Sequence, residues 1–210
     1  MQLFVANLVV ARGGRTIIDD LTFDVAGGEA LLLTGRNGAG KTTLIRALAG
    51  YLRPIAGSVR LDGFDPERDV REACHYVGHL DANKASLSVM ENVAFWQGYL
   101  GDGGSGTAAG DALWAALERF GLDALADIPA AYLSAGQKRR LSLCRLLVAR
   151  RPLWLLDEPS VSLDAASTVL LADVIGEHVA AGGIVIAATH LPLGLGAARE
   201  LRLGEQVAMS

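Results

Sequence analysis

Gly35-Arg36-Asn37-Gly38-Ala39-Gly40-Lys41-Thr42-Thr43 follows directly on the apolar run Ala30 to Leu33. Two glycines around a four-residue spacer, then Lys-Thr, form the pattern of a phosphate-binding loop between a strand and a helix. Glycines let the backbone close around phosphate oxygens, so that successive N–H groups and the positive end of the following helix point at one anion. Lys41 adds a full charge toward the β- and γ-phosphates, and Thr42 offers its hydroxyl to Mg2+. The stretch therefore predicts an α/β chain that binds ATP or GTP. Gly35, Asn37, Gly38, Ala39, Gly40, Lys41, Thr42 and Thr43 are its nucleotide-binding candidates.

Upstream of this loop, Leu3 to Val10 and Thr16 to Val25 are rich in β-branched and apolar residues. Joined at Arg12-Gly13-Gly14-Arg15, they read as a hairpin. Downstream, a helix is expected from about Lys41 to Leu52, ended by Arg53-Pro54. Short strands follow at Ser58 to Leu61 and His75 to Val77. From Leu87 to Arg150 apolar residues recur at three- and four-residue steps, as in Leu113, Leu117 and Phe120, which predicts a helical lobe. Within it, the run 101–106 reads as a flexible connector. Strand-helix alternation returns with Leu153 to Leu156, a helix over Ala165 to Ala181, and Ile184 to Thr189. The expected organisation is one domain over 1–210, with a sheet-based lobe from 1–80 and 151–210 and a helical lobe from 81–150.

The composition is 51% hydrophobic and 20% charged, that of an ordinary folded chain. A net charge of −4 argues against a nucleic-acid partner. Cys74 and Cys144 stand alone, so neither a disulfide framework nor a zinc or covalent haem site is signalled. His75 and His178 have no haem-ligating context either, and His178 is expected to face solvent. No window approaches the roughly 18 unbroken apolar residues of a membrane span, and Met1 to Val10 lacks a basic leader start.

Two further motifs sharpen the chemistry. Trp154-Leu155-Leu156-Asp157-Glu158-Pro159 is an apolar strand ending in paired carboxylates, where an open α/β sheet presents its ligand-facing edge. Asp157 would hold Mg2+ and Glu158 would polarise the attacking water. Leu133-Ser134-Ala135-Gly136-Gln137 opens a predicted helix with Ser134 as its N-cap, a second helix start suited to an anion. Together with Ser162-Leu163-Asp164 and Thr189-His190, these motifs stand in the order found in ABC-type ATPases, which the chain resembles over nearly its whole length.

That resemblance implies a P-loop NTPase fold of ABC ATPase type, with a mixed sheet core, an antiparallel β portion and an inserted helical subdomain. It implies that Ser134, Gly136 and Gln137 contact a nucleotide bound by a second copy of the chain, so that ATP is sandwiched between two protomers. Asp164 would lie at the seam of that dimer. His190 would join Lys41 and Glu158 as a catalytic residue, reaching the γ-phosphate and orienting water. The family usually places an aromatic ring against adenine near residues 11–12; here the Arg12 guanidinium would stack on the base. Ala135 replaces a family glycine, which matters if that position needs positive φ.

A narrower likeness lies in 77–96, where Gly78-His79-Leu80-Asp81 carries His79 in place of the usual glutamine, and in Ala188-Thr189-His190-Leu191-Pro192-Leu193. These phrases are similar to those of the haem-exporter ATPases of cytochrome c maturation, a branch of the same family. The implied partners are integral-membrane subunits of the CcmB and CcmC type and, indirectly, a haem chaperone of the CcmE type. The implied place is the cytoplasmic face of the bacterial inner membrane. His79 would then be a nucleotide or coupling site. Phe95, Trp96 and Tyr99 are candidates for a groove that receives a membrane subunit. The alternatives are an exporter ATPase for another cargo and a soluble ATPase scaffold for cofactor assembly.

Overall fold

The computed structural model describes residues 1–65, 69–100, 107–189 and 198–204. The chain forms two compact units: Met1–Gly78 with Pro152–Pro159 and Ala172–Ser210, and His79–Arg151 with Ser160–Leu171.

The first unit opens with a hairpin of β1 (Gln2–Arg12) and β2 (Arg15–Ala26), as the two β-branched, apolar runs joined at Gly13-Gly14 predict. In β1, Leu3 and Val5 point inward, two exposed residues interrupt, and Leu8 and Val10 point inward again. The register shift between Val5 and Leu8 makes this possible, with Asn7 at φ 48°. Such a bulge resets the pleat, so that the apolar residues after it stay on the core face. β4 (Ala56–Asp62) pairs on the other edge of β1, giving a three-stranded antiparallel sheet in the order β2-β1-β4.

The remaining strands are β3 (Ala30–Thr34), β5 (Cys74–Val77), β6 (Leu153–Asp157), β7 (Ile184–Ala188) and β8 (Arg199–Arg202). They form a parallel sheet in the order β5-β6-β7-β3-β8. Every residue of β6 and β7 is buried, the near-continuous apolar reading of strands covered on both faces. After β3 comes α1 (Lys41–Leu48), which buries Leu44, Ile45 and Leu48. It stops four residues short of the expected Leu52, because Gly50 takes φ 71° and breaks the helical path before Arg53-Pro54 is reached. The short α2 (Val70–Ala73), capped by Asp69, and the edge strand β8 are additions to the sequence reading.

The second unit holds α3 (Val89–Leu100), α4 (Thr107–Arg119) and α5 (Ala135–Val148). α3 starts in a reciprocal cap: Ser88 N–H donates to Glu91 Oε2 at 2.7 Å, and Glu91 N–H donates to Ser88 Oγ at 3.1 Å. Leu117, Phe120, Leu122 and Leu141 are among its buried side chains. α6 (Ala165–Ala180) runs from this unit's last segment into the first unit's. Among the described residues no helix is long and apolar enough to cross a membrane. The connector 101–106 lies outside the described residues.

His178 corrects the sequence reading: it is half-buried, not solvent-facing. Its ring stacks on Trp154 with centroids 3.8 Å apart, and Nε2 lies 3.2 Å from the Pro152 carbonyl. Burial lowers its pKa, although the Pro152 carbonyl works the other way. In the unfolded chain the imidazole titrates near 6.5, so below that pH the unfolded state binds the extra proton first. The stabilising contribution is complete above about pH 6.5 and is lost as pH falls toward the depressed native value. The wild-type melting temperature is therefore expected to fall more steeply between about pH 7.5 and about 5.5 than that of His178→Phe, which keeps the stack. Equal slopes in the two melting series would rule the effect out.

Candidate functional site

Three strand ends converge in the first unit. β7 lies between β3 and β6, pairing Leu33 with Ala188 on one side and Asp157 with Ala188 on the other. The loop after β3, the carboxylates at the end of β6 and Thr189 after β7 therefore leave the same edge of the sheet. That edge is where open α/β sheets bind ligands.

Residues 35–40 form the loop and α1 begins at Lys41, with Gly40 as its N-cap. Gly40 takes φ 102°, and a Cβ there would come within 2.9 Å of Ile18 Cδ1 on β2. Backbone conformation and space both demand glycine. With no side-chain cap, the first N–H groups of α1 are left for an external acceptor. Asn37 and Gly38 are exposed, while Lys41 and Thr43 are buried. Lys41 Nζ donates to the Gly35 carbonyl at 2.7 Å and to that of Arg36 at 3.3 Å. The ammonium is thus already held within the curve of the loop.

Thr42 Oγ1 donates to Asp157 Oδ1 at 3.0 Å, which joins the loop to the acidic strand. Asp157 is buried, at 2% exposure. A hydroxyl and a carboxylate at this separation are hard oxygen donors suited to Mg2+, which takes one or two protein oxygens and completes its shell with phosphate and water. Next in sequence, Glu158 is half-buried and takes φ 51°, the left-handed region that non-glycine residues seldom occupy. Its N–H donates to the Ala188 carbonyl at 2.8 Å, which ties this backbone to β7.

Arg12 is exposed at the end of β1, where it pairs with Arg15 in the hairpin that also carries Ile18. A groove of about 720 Å3 borders the loop, lined by Thr34, Gly35, Arg36, Asn37, Glu200 and Arg202. The last two residues come from β8, which the sequence reading missed: four residues with two arginines carry little strand signal. His190 lies outside the described residues.

The second unit supplies the other motif. Ser134 caps α5 by accepting the Gln137 N–H at 3.2 Å, and Gln137 Oε1 accepts the Ser134 N–H at 2.8 Å. This reciprocal box fixes the geometry of the helix start. Ala135 is the first helical residue and its φ is not positive, so the alanine costs the backbone nothing here. Gly136 is different: a Cβ on it would come within 2.9 Å of the Ser162 carbonyl, so the helix start and the turn at 160–163 approach as only glycine allows. Asp164 then caps α6, accepting the Ser167 N–H at 2.7 Å. That backbone hydrogen bond is the largest cause of its lowered pKa, and it keeps the exposed carboxylate charged.

His79 is exposed in the same unit. The three aromatic candidates form one cluster on α3. Phe95 and Tyr99 are exposed and stack with centroids 5.9 Å apart, while the half-buried Trp96 packs edge-on against them at 5.3 and 6.0 Å, with the buried Arg145 guanidinium 4.7 Å from its centroid.

The ABC transporter family model matches residues 18–161. The chain is 52% identical to the cytochrome c biogenesis ATP-binding export protein CcmA of Rhodopseudomonas palustris strain HaA2, over 97% of this chain and 98% of that protein. It is 48% identical to the protein of the same name from Agrobacterium fabrum, over 97% and 95%. Among solved structures, an ATP-binding subunit of an ABC transporter superposes with a TM-score of 0.85 at 24% identity, over 97% of this chain and 86% of that one. The ATP-binding cassette MJ0796, in a dimeric post-hydrolysis state bound to ADP and Pi, gives 0.82 at 20% identity, over 96% and 94%. At such identities the two structures speak for the fold.

Proposed function

Because the chain belongs to the ABC transporter family, in the branch of the cytochrome c biogenesis ATP-binding export proteins, we propose that it hydrolyses ATP as one half of a two-copy engine for haem handling. The observation that carries this reading is the 3.0 Å hydrogen bond between Thr42 and Asp157, which brings a phosphate loop and an acidic strand to one point.

In this mechanism the N–H groups of the loop and of the α1 start bind the triphosphate, and Lys41 leaves the Gly35 and Arg36 carbonyls to meet its β- and γ-oxygens. Thr42 and Asp157 would hold Mg2+, which when bound would neutralise negative charge on the triphosphate. Glu158 accepts a proton from the attacking water, and His190 orients that water. Arg12 stacks on the base. Two protomers close as in the dimeric state in which MJ0796 was solved, so that Ser134, Gly136 and Gln137 of each reach the γ-phosphate held by the other. Neither half alone surrounds the γ-phosphate with enough donors to stabilise its transferring form. Asp164 lies at the seam, its charged form favoured further by the Ser167 N–H. His79 links the site to the membrane partners, subunits of the CcmB and CcmC type, at the cytoplasmic face of the inner membrane. Closing and reopening of the pair releases a haem-loaded chaperone of the CcmE type.

The test is to recover the chain from detergent-treated membranes and identify what accompanies it. Two integral-membrane subunits, and a haem chaperone retained on them by the Glu158→Gln variant, are expected. A stable complex made only of proteins that need no detergent would favour the soluble scaffold instead.

A further inference from the structure

The segment that carries His79 is fastened to α5 at two consecutive residues of that helix. Leu80 is 80% exposed, but the next residue, Asp81, accepts from Arg139 Nη1 at 3.1 Å, and the Arg139 side chain is only 3% exposed. The chain then turns through Ala82, whose φ is 55°, and Asn83 Nδ2 donates to the Lys138 carbonyl at 2.7 Å. Both shoulders of this left-handed turn are therefore anchored on Lys138-Arg139. Beyond it, Lys84 N–H donates to Asn92 Oδ1 at 2.7 Å, and Asn92 Nδ2 donates to the carbonyls of Lys84, Leu87 and Ser88. Arg139 follows the Ser134–Gln137 capping box by two residues on the same helix. A helix rises about 1.5 Å per residue, so Arg139 sits roughly 7.5 Å along the axis from Ser134. Two extended residues span at most about 7 Å between Asp81 and His79. His79 and the helix start are thus joined through the Asp81–Arg139 ion pair, buried on its arginine side, with the Asn83–Lys138 hydrogen bond beside it.

We propose that Asp81 and Arg139 are positioning residues for hydrolysis, their ion pair making the His79 segment and the Ser134–Gln137 helix start move as one body. This rests on the reading above, in which those helix starts close over a partner copy's nucleotide. Asp81 touches no nucleotide in that reading, so losing it leaves ATP binding to the phosphate loop unchanged. It loosens the placement of Ser134 and Gly136 when the pair of protomers closes. A misplacement of about 1 Å at a reacting centre costs on the order of 100-fold in rate.

The experiment measures ATP binding and steady-state hydrolysis by the full chain in its membrane complex. Asp81→Asn is expected to lower kcat by about 100-fold, with KM and ATP affinity unchanged. Asp81→Glu is expected to restore most of the rate, and the charge-swapped D81R/R139D to exceed either single variant. Wild-type kcat in Asp81→Asn overturns the proposal, as does a rise in KM at constant kcat, or a double variant no faster than the slower single. Where Asp81→Asn fails to fold, Arg139→Gln carries the test, since it keeps a hydrogen-bond donor but removes the charge of the pair. The same loss confined to kcat is expected there, and a wild-type rate overturns the role. Wild-type protein without ATP hydrolysis would overturn both this proposal and the functional reading; active wild type with unaffected variants overturns the ion pair's role alone.

Discussion

Glu158→Gln is expected to stop turnover while leaving ATP bound. Glutamine has the size and hydrogen-bonding reach of glutamate but no basic carboxylate, so the attacking water loses its proton acceptor. General-base catalysis of this kind is worth on the order of 10²–10⁴ in rate, and kcat should fall by that range. Nothing that holds the triphosphate is touched: the loop, Lys41, and the Thr42–Asp157 contact belong to other residues. The backbone at 158 is fixed by its bond to Ala188, which the substitution leaves in place. With hydrolysis blocked and the clamp intact, the variant should also accumulate as an ATP-dependent dimer by size-exclusion chromatography. Wild-type hydrolysis in this variant would remove Glu158 from its role, and a variant that no longer binds ATP would mean the carboxylate supports the loop instead.

Lys41→Ala should have the opposite signature, with affinity itself lost. The ammonium is buried inside the loop and already accommodated by two carbonyls, so its charge acts at short range and with little screening by solvent. A hydrogen bond to a charged group contributes about 1.5–3 kcal/mol, which corresponds to roughly 10- to 150-fold in the dissociation constant. Alanine also frees the Gly35 and Arg36 carbonyls and slackens the loop. Titration calorimetry with ATP checks the value. Unchanged affinity would count against a phosphate site at 35–43.

Much of the fold around the candidate site was legible in the sequence because it is built from local patterns. A strand, a glycine-rich turn and a helix start are contiguous at 30–48, and the Asp157-Glu158 pair closes an unbroken apolar strand. Ser134 announced itself as a cap by type and by Gln137 three residues on. What sequence could not supply came from contacts across the chain. The Asp81–Arg139 pair spans 58 residues, and no spacing rule links them. His178 was misplaced because helical periodicity does not reveal that Trp154, on a strand, offers its ring face to it. The harmless Ala135 and the indispensable Gly136 look alike in a motif, and only the nearness of the Ser162 carbonyl tells them apart. The early end of α1 turned on one glycine whose backbone angle outweighed the proline beyond it.

The place of β7 between β3 and β6 sets the spacing of the strand ends that carry the candidate site. Neighbouring strands lie about 4.8 Å apart, so the ends of β3 and β6 stand roughly 10 Å apart, two strand intervals, and the 3.0 Å Thr42–Asp157 bond crosses that gap. That gauge is kept by main-chain hydrogen bonds and not by side-chain bulk. Exchanging one aliphatic residue for another in β7 would alter how firmly the sheet holds together, but the ends of β3 and β6 would keep their distance.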